Sequence, residues 1–232
     1  MSNLFLILSI SLISYLLGSF PTAYLVVKKF TGKDIREIGS ANVGAFNTFR
    51  AFEEKGKSKA LIGFLIVLLI DMAKGMLAIF STEKILEYFN SNFILAITLA
   101  SYFVILGHNY SIFLNFSGGR GAASLMGIML YLKPISILVW GLPIVFSTIL
   151  VQIILEKMRK EEKINWKNFS DLFKMFGKQM AGRMLGLILA PLFLYFYAPS
   201  IFSPISAGTI LLLIRNIPRF EDYFQKIKIK RK

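Results

Sequence analysis

Seven apolar runs divided by polar segments leave this chain few ways to fold. They lie at about residues 4–27, 60–80, 93–107, 122–132, 135–155, 183–197 and 205–217. A straight membrane-spanning helix needs about 20 apolar residues, and a soluble domain of this size does not carry so many long runs. Of the 232 residues 55% are hydrophobic, and the mean hydropathy is +0.62. The pattern predicts an all-α polytopic membrane helix bundle of about seven transmembrane helices. The run at 122–132 is the shortest, and a short helix crosses only against neighbours or where the bilayer thins. The first run is interrupted by Gly18-Ser-Phe-Pro21. Proline frees a carbonyl there and bends or ends the helix. The first residues lack the positive region and small-residue cleavage site of a secretory signal. That run is therefore expected to be a retained first span.

The chain carries 27 Lys+Arg against 13 Asp+Glu, a net charge of +14. If the spans alternate in direction, segments 28–59, 108–121, 157–183 and 215–232 share one side. They hold 8, 1, 8 and 7 of the basic residues, leaving only Lys74, Lys84 and Lys133 elsewhere. The positive-inside rule then puts the N-terminus outside and the C-terminus in the cytoplasm. This topology accounts for the charge without a nucleic-acid partner. Cysteine is absent, which excludes disulfides and thiolate chemistry, and His108 is the single histidine, which excludes a multi-histidine metal site. No metal and no cofactor are expected. Between 157 and 182, Trp166, Phe169, Phe173, Phe176 and Met180 recur at spacings of three or four, with lysines on other faces. That spacing predicts an amphipathic helix lying in the cytoplasmic interface of a single domain, 1–232.

Two polar segments fall on the predicted cytoplasmic side. In residues 39–50, Gly39 and Gly44 permit close backbone approach, while Ser40, Asn42, Asn47 and Arg50 supply donors. Such a segment is either an anion cradle suited to phosphate or a polar helix cap and turn. The second, 107–121, ends in Gly118-Gly119-Arg120-Gly121 before a predicted helix. It offers backbone N–H groups, a cation and a helix N-terminus, or else a tight inter-helix turn. Two phosphate-type cradles on one membrane face favour one large anion or two phosphorylated substrates. His108 is read as a structural or binding residue, since no carboxylate lies near it in sequence. Arg215-Asn-Ile-Pro-Arg219 closes the last run; it is ordinary basic interface sequence or, through Asn216 and Arg219, a binding element. Asp71 and Lys74, three apart inside the second run, share a helix face and can pair. Ionisable residues in a membrane are functional candidates, and a bracing pair is the favoured reading here.

These segments together resemble the bacterial acyl-phosphate:glycerol-3-phosphate acyltransferase family of small, seven-span membrane enzymes. Gly39, Ser40, Asn42, Gly44, Asn47 and Arg50 are similar to its Gly-Ser-x-Asn-x-Gly-x-x-Asn-x-x-Arg motif. Residues 71–75 resemble its Asp-x-x-Lys-Gly, 107–121 its second motif, and 216–219 its Asn-Ile-x-Arg. The chain departs from the pattern at Phe46 (usually threonine), Arg120 (usually lysine) and Leu213 (usually histidine). A closing Gly-x-Glu is missing unless Glu221 serves. The resemblance implies acyl transfer from acyl-phosphate to the 1-hydroxyl of glycerol 3-phosphate, yielding lysophosphatidate and phosphate at the cytoplasmic side of a bacterial inner membrane. It implies Ser40, Arg50 and Arg120 as catalytic. Gly39, Asn42, Gly44, Asn47, His108, Gly118, Gly119, Gly121, Asn216 and Arg219 are then substrate-binding. The expected partners are glycerol 3-phosphate, acyl-phosphate and membrane lipids. No Ser-His-Asp set is visible, so no acyl-enzyme is expected. The alternatives are a catalytically weakened relative that binds anionic lipids or phosphate metabolites, and a small-anion transporter, which should show repeats and midplane polar groups.

Overall fold

The structure, a computed structural model, describes residues 3–89, 93–158 and 163–229. Among these residues every regular element is helical, as the apolar periodicity predicts. Six helical segments are long and apolar enough to cross a membrane, and a shorter apolar helix, Ala122–Leu132, accompanies them. The fold is that of a polytopic membrane protein. The chain divides into two compact units: residues 1–134 with 203–212, and residues 135–202 with 213–232.

The first unit contains α1 (Asn3–Ser19), α2 (Thr22–Thr31), α3 (Ala45–Phe52), α4 (Lys57–Phe89), α5 (Phe93–Asn109) and α6 (Ala122–Leu132). Its helices meet through glycines. A Cβ on Gly18 of α1 would run into the Val104 carbonyl of α5, and one on Gly107 of α5 into the Tyr15 carbonyl of α1. The α4–α6 pair repeats the device, with Gly75 against the Ser124 carbonyl and Gly127 against the Met72 carbonyl. Small residues let helix backbones approach where no hydrophobic force drives helices together in lipid. The opposite faces carry exposed Leu4, Leu8 and Leu12 on α1 and Leu61, Leu65 and Leu69 on α4. Those faces suit acyl chains.

The apolar run at 4–27 is two helices. Pro21 lacks an N–H, so α1 ends at Ser19 and α2 starts at Thr22. The α2 helix closes on Gly32 in the left-handed conformation (φ 73°), whose N–H donates to the Lys28 carbonyl. At about 1.5 Å per residue, α6 extends only about 16 Å, well short of a ~30 Å hydrocarbon core.

The second unit contains α7 (Ser136–Lys157), α8 (Phe169–Lys178) and α9 (Met180–Tyr197). A last helix, α10 (Phe202–Ile229), contributes 203–212 to the first unit and its remainder to the second. Gly182 and Gly186 of α9 pack on the backbone of α7 at Thr148 and Ile144. Beside them Gln179 Nε2 donates to Gln152 Oε1 at 3.3 Å, and both amides are buried. The stretch expected to form one amphipathic helix at 157–182 is not continuous. Of it, 159–162 lie outside the described residues, Trp166 sits in a turn, α8 covers only Phe169–Lys178, and Met180 opens α9. Gln179 breaks the helix with an extended backbone (ψ 100°), and its side chain accepts from the Gly182 N–H.

Candidate functional site

The segment 33–50 is shaped by its own side chains. Asp34 caps a short 3-10 turn by accepting from the Arg36 N–H at 2.9 Å, and the Arg36 guanidinium grips the same carboxylate at 2.6 Å. That hydrogen bond holds the Asp34 carboxyl below its ordinary pKa and raises Arg36. Ile35, wholly buried, and Val43 anchor the loop in a cluster with Val27, Phe52 and Val67. Asn47 then fixes the turn. Its Nδ2 donates to the carbonyls of Ile35 (3.0 Å) and Ile38 (2.9 Å), and its Oδ1 accepts from the Ser40 N–H at 3.2 Å. Asn47 is fully buried. Its hydrogen-bonding capacity goes to the loop, which makes it a brace and leaves it little to offer a ligand.

Ser40 and Arg50 are differently placed. Both are half-buried, and Arg50 Nη1 lies 3.4 Å from Ser40 Oγ, a loose bond that leaves most of the guanidinium fork uncommitted to Ser40. Gly39 adopts φ 54°, and a Cβ there would approach Arg50 Cδ at 3.0 Å. Its absence lets the arginine stem lie along the turn. Gly44 caps α3, its carbonyl accepting from the N–H groups of Asn47 and Thr48. Asn42 is half-buried beside it. Phe46 points away from the loop and packs edge-on against Phe64 of α4, ring centroids 5.1 Å apart.

The segment 107–121 is held by backbone proximity. Asn115 and Phe116 both take left-handed φ values, 52° and 57°, and the Phe116 N–H donates back to the Ser111 carbonyl. The Gly119 N–H donates to the His108 carbonyl at 2.9 Å. A Cβ on Gly118 would strike the His108 carbonyl. One on Gly119 would strike the His108 imidazole at Nε2 and come within 2.6 Å of the Val43 carbonyl. Gly121, φ 76°, caps α6. Val43 belongs to the first polar segment, so the contact at Gly119 joins the two segments in one unit. Arg120 is half-buried at the same turn.

Beneath this junction lies the buried pair. Lys74 Nζ is 2.6 Å from Asp71 Oδ1 and donates also to the Phe20 carbonyl, at 2.6 Å. That carbonyl, at the Pro21 break, accepts also from the Thr22 N–H at 3.0 Å. His108 Nδ1 stands 4.0 Å from the same Asp71 oxygen. A carboxylate does therefore lie beside His108, brought there from α4, 37 positions earlier in the chain. These residues border a small, partly open pocket of about 10 Å³, walled also by Ser19, Thr22 and Ser111. Those three hydroxyls were not singled out from the sequence. The available signal was their place on either side of a proline break and next to a histidine.

Asn216 and Arg219 belong to the second unit. There Asn216 is buried and Arg219 Nη2 donates to the Gly177 carbonyl at 2.5 Å.

The sequence profile described as "Glycerol-3-phosphate acyltransferase" matches residues 8–161. The chain belongs to this family. Among its relatives, the "Glycerol-3-phosphate acyltransferase" of Helicobacter pylori (strain ATCC 700392 / 26695) is 41% identical over 136 residues, 59% of each chain. The "Glycerol-3-phosphate acyltransferase 1" of Dehalococcoides mccartyi is 42% identical over 132 residues, 57% of this chain and 56% of that one. The matches thus span somewhat over half the length of these relatives. A crystal structure of PlsY (YgiH), described as an integral membrane glycerol 3-phosphate acyltransferase in its glycerol 3-phosphate form, shares the fold. Its TM-score is 0.63 at 22% identity, covering 94% of this chain and 92% of that one. The segment matched to the glycerol-3-phosphate acyltransferase family holds both polar loops and the Asp71–Lys74 pair, whereas Asn216 and Arg219 lie beyond it.

Proposed function

We propose that the protein transfers a fatty acyl group from acyl-phosphate to the 1-hydroxyl of glycerol 3-phosphate, releasing lysophosphatidate and phosphate. One observation carries the reading: the backbone contact of Gly119 with the Val43 carbonyl seats two anion-suited loops against each other. A reaction between two phosphorylated molecules needs two such places side by side.

In this reading the half-buried Arg50 and Ser40 bind one phosphate, and Arg120 with the 118–121 backbone binds the other or the charge that develops on the acyl carbonyl oxygen. The 1-hydroxyl oxygen forms a bond to the acyl carbon, and the acyl carbon–phosphate oxygen bond breaks. The departing phosphate takes the hydroxyl proton. Acyl-phosphate is an activated donor, so positioning and charge stabilisation supply the catalysis. Gly39, Asn42 and Gly44 shape the first cradle, and Asn47 holds it. His108, Gly118, Gly119 and Gly121 shape the second. For Asn216 and Arg219 the reading rests on the resemblance of residues 216–219 alone. The acyl chain would lie among the membrane helices, in a bacterial inner membrane, with the site on the cytoplasmic side where 24 of 27 basic residues gather.

The purified protein should release phosphate from palmitoyl-phosphate only when glycerol 3-phosphate is present. Binding of glycerol 3-phosphate without release would make it a non-catalytic relative. Full activity with a donor whose leaving group lacks phosphate would remove the proton-transfer step. The orientation has its own check, because the chain has no native cysteine. A cysteine placed at Ser200 should react with a membrane-impermeant thiol reagent in intact cells, and one at Lys33 should not. The reverse result would turn the loops away from cytoplasmic substrates.

A further inference from the structure

The pocket at the α1–α2 break contains a feature that the two phosphate loops leave unexplained. Ser19 Oγ and Thr22 Oγ1 are buried and have no hydrogen-bond partner within the protein. Their residues are 0% and 3% exposed, and both line the pocket. Buried hydroxyls are almost always satisfied, and two lining one opening call for a group from outside the chain. Lys74 adds to them. Its ammonium has three N–H donors, and the Asp71 carboxylate and the Phe20 carbonyl take two. Asp71 cancels the lysine charge, and Phe20, Ala23 and Leu114 supply apolar wall. A net-neutral opening with hydroxyl donors and acceptors is poorly matched to phosphate and well matched to an alcohol. Val43 of the first loop and Gly118 of the second lie on its rim. A molecule whose phosphate sat on either loop would reach it with its next carbons. At about 10 Å³ the pocket has room for about one water-sized group, which is what a single hydroxyl requires.

We propose that this pocket seats a non-reacting hydroxyl of a small polyol phosphate. On the acyltransferase reading, on which the choice of molecule rests, this is the secondary hydroxyl of glycerol 3-phosphate. Ser19 and Thr22 are then specificity-determining residues that select a glycerol backbone and leave the 1-hydroxyl to react.

The test compares two acceptors with palmitoyl-phosphate as donor, using the full chain in detergent. The acceptors are glycerol 3-phosphate and 3-hydroxypropyl phosphate, which lacks the secondary hydroxyl. The wild-type protein should prefer glycerol 3-phosphate by about tenfold or more in kcat/KM, the effect of one or two buried hydrogen bonds. In Ser19→Ala/Thr22→Val that preference should fall to within about twofold, and Thr22→Ser alone should keep it. If both acceptors lose rate in the same proportion in the double variant, the hydroxyls only hold the helix break and the proposal fails. It fails equally if the wild type shows no preference. Should the double variant not fold, Ser19→Ala and Thr22→Val are read singly, each being expected to lose part of the preference. If the wild type acylates neither acceptor, the acyltransferase reading is the one that falls. Isothermal titration of the same two phosphates then decides the pocket: tighter binding of glycerol 3-phosphate, lost in the double variant, upholds it, and equal affinity overturns it.

Discussion

The two polar loops meet at one point but differ in what holds their glycine-bearing turns. The loop at 33–50 is tied by side chains: Asn47 bonds three backbone groups, Asp34 holds Arg36, and Ile35 and Val43 are sunk in apolar packing. The loop at 107–121 has side-chain ties too, with Ser111 Oγ donating to the Ser19 carbonyl, Tyr15 Oη to the Tyr110 carbonyl and Ser117 Oγ to the Leu114 carbonyl, but its glycine turn is a different matter. That turn is set by close approach, with Gly118 and Gly119 pressed against residue 108. A loop tied by hydrogen bonds loses them one at a time, each worth a modest free energy. A loop tied by close approach fails at once when a methyl group is added, because nothing nearby can yield cheaply.

The sharpest test of that contrast is Gly119→Ala. The new methyl would overlap the His108 imidazole and crowd the Val43 carbonyl. The structure assigns the damage to His108 and to the junction of the two loops. Phosphate release should fall at least a hundredfold, and a near wild-type rate would show that the loops are not in contact. Arg50→Ala comes next. Losing a charge-assisted bond to phosphate costs roughly 1.5–3 kcal/mol, or about 10- to 150-fold in kcat/KM for glycerol 3-phosphate or for the donor. The melting temperature should scarcely move, since Arg50 has only a loose tie to Ser40. Unchanged kinetics would take Arg50 out of the site.

Asn47→Ala tests the other kind of tie. It leaves the Ser40 N–H without its partner and takes one of two hydrogen bonds from each of the Ile35 and Ile38 carbonyls, and should destabilise the protein by about 1–3 kcal/mol, read as a lowered midpoint of thermal unfolding. A variant of wild-type stability with no substrate binding would restore Asn47 to the ligand-binding set. The smallest effect concerns acid. The folded pKa of Asp34 is depressed by Arg36, so its stabilisation is complete above the ordinary value of 3.8 and is lost as pH falls through the lower, folded value. The pair is partly exposed, with Arg36 at 37%, so its contribution is at most about 1 kcal/mol. Proteolysis of the 33–41 loop should quicken slightly below about pH 4 in the wild-type protein, and Asp34→Asn should remove that dependence. Identical acid profiles in the two would mean that the pair does not hold the turn.

Much was legible in the sequence. The apolar runs mark the helices, because burial in lipid requires apolar length and a closed backbone within each segment. Pro21 marks the first break and the two loops stand out by their glycines. The 157–182 stretch was less legible: its three- and four-residue spacing runs across Gln179, where an extended backbone separates α8 from α9. Periodicity reports which face is apolar, and a single residue that caps one helix with its side chain is invisible to it.

The assignment of roles was decided by tertiary structure. Asn47 and Arg50 look alike as polar members of one motif, yet the first is consumed by the loop and the second is not. Asp71 reaches His108, and Lys74 reaches the Phe20 carbonyl, only because glycine contacts such as Gly18 on Val104 and Gly75 on Ser124 draw α1, α4, α5 and α6 together. Local sequence determines where a helix starts, stops and turns its apolar face, since those preferences act over one or two turns. Which hydrogen bonds a polar side chain makes depends on backbone groups up to a hundred positions away, and packing alone sets those distances.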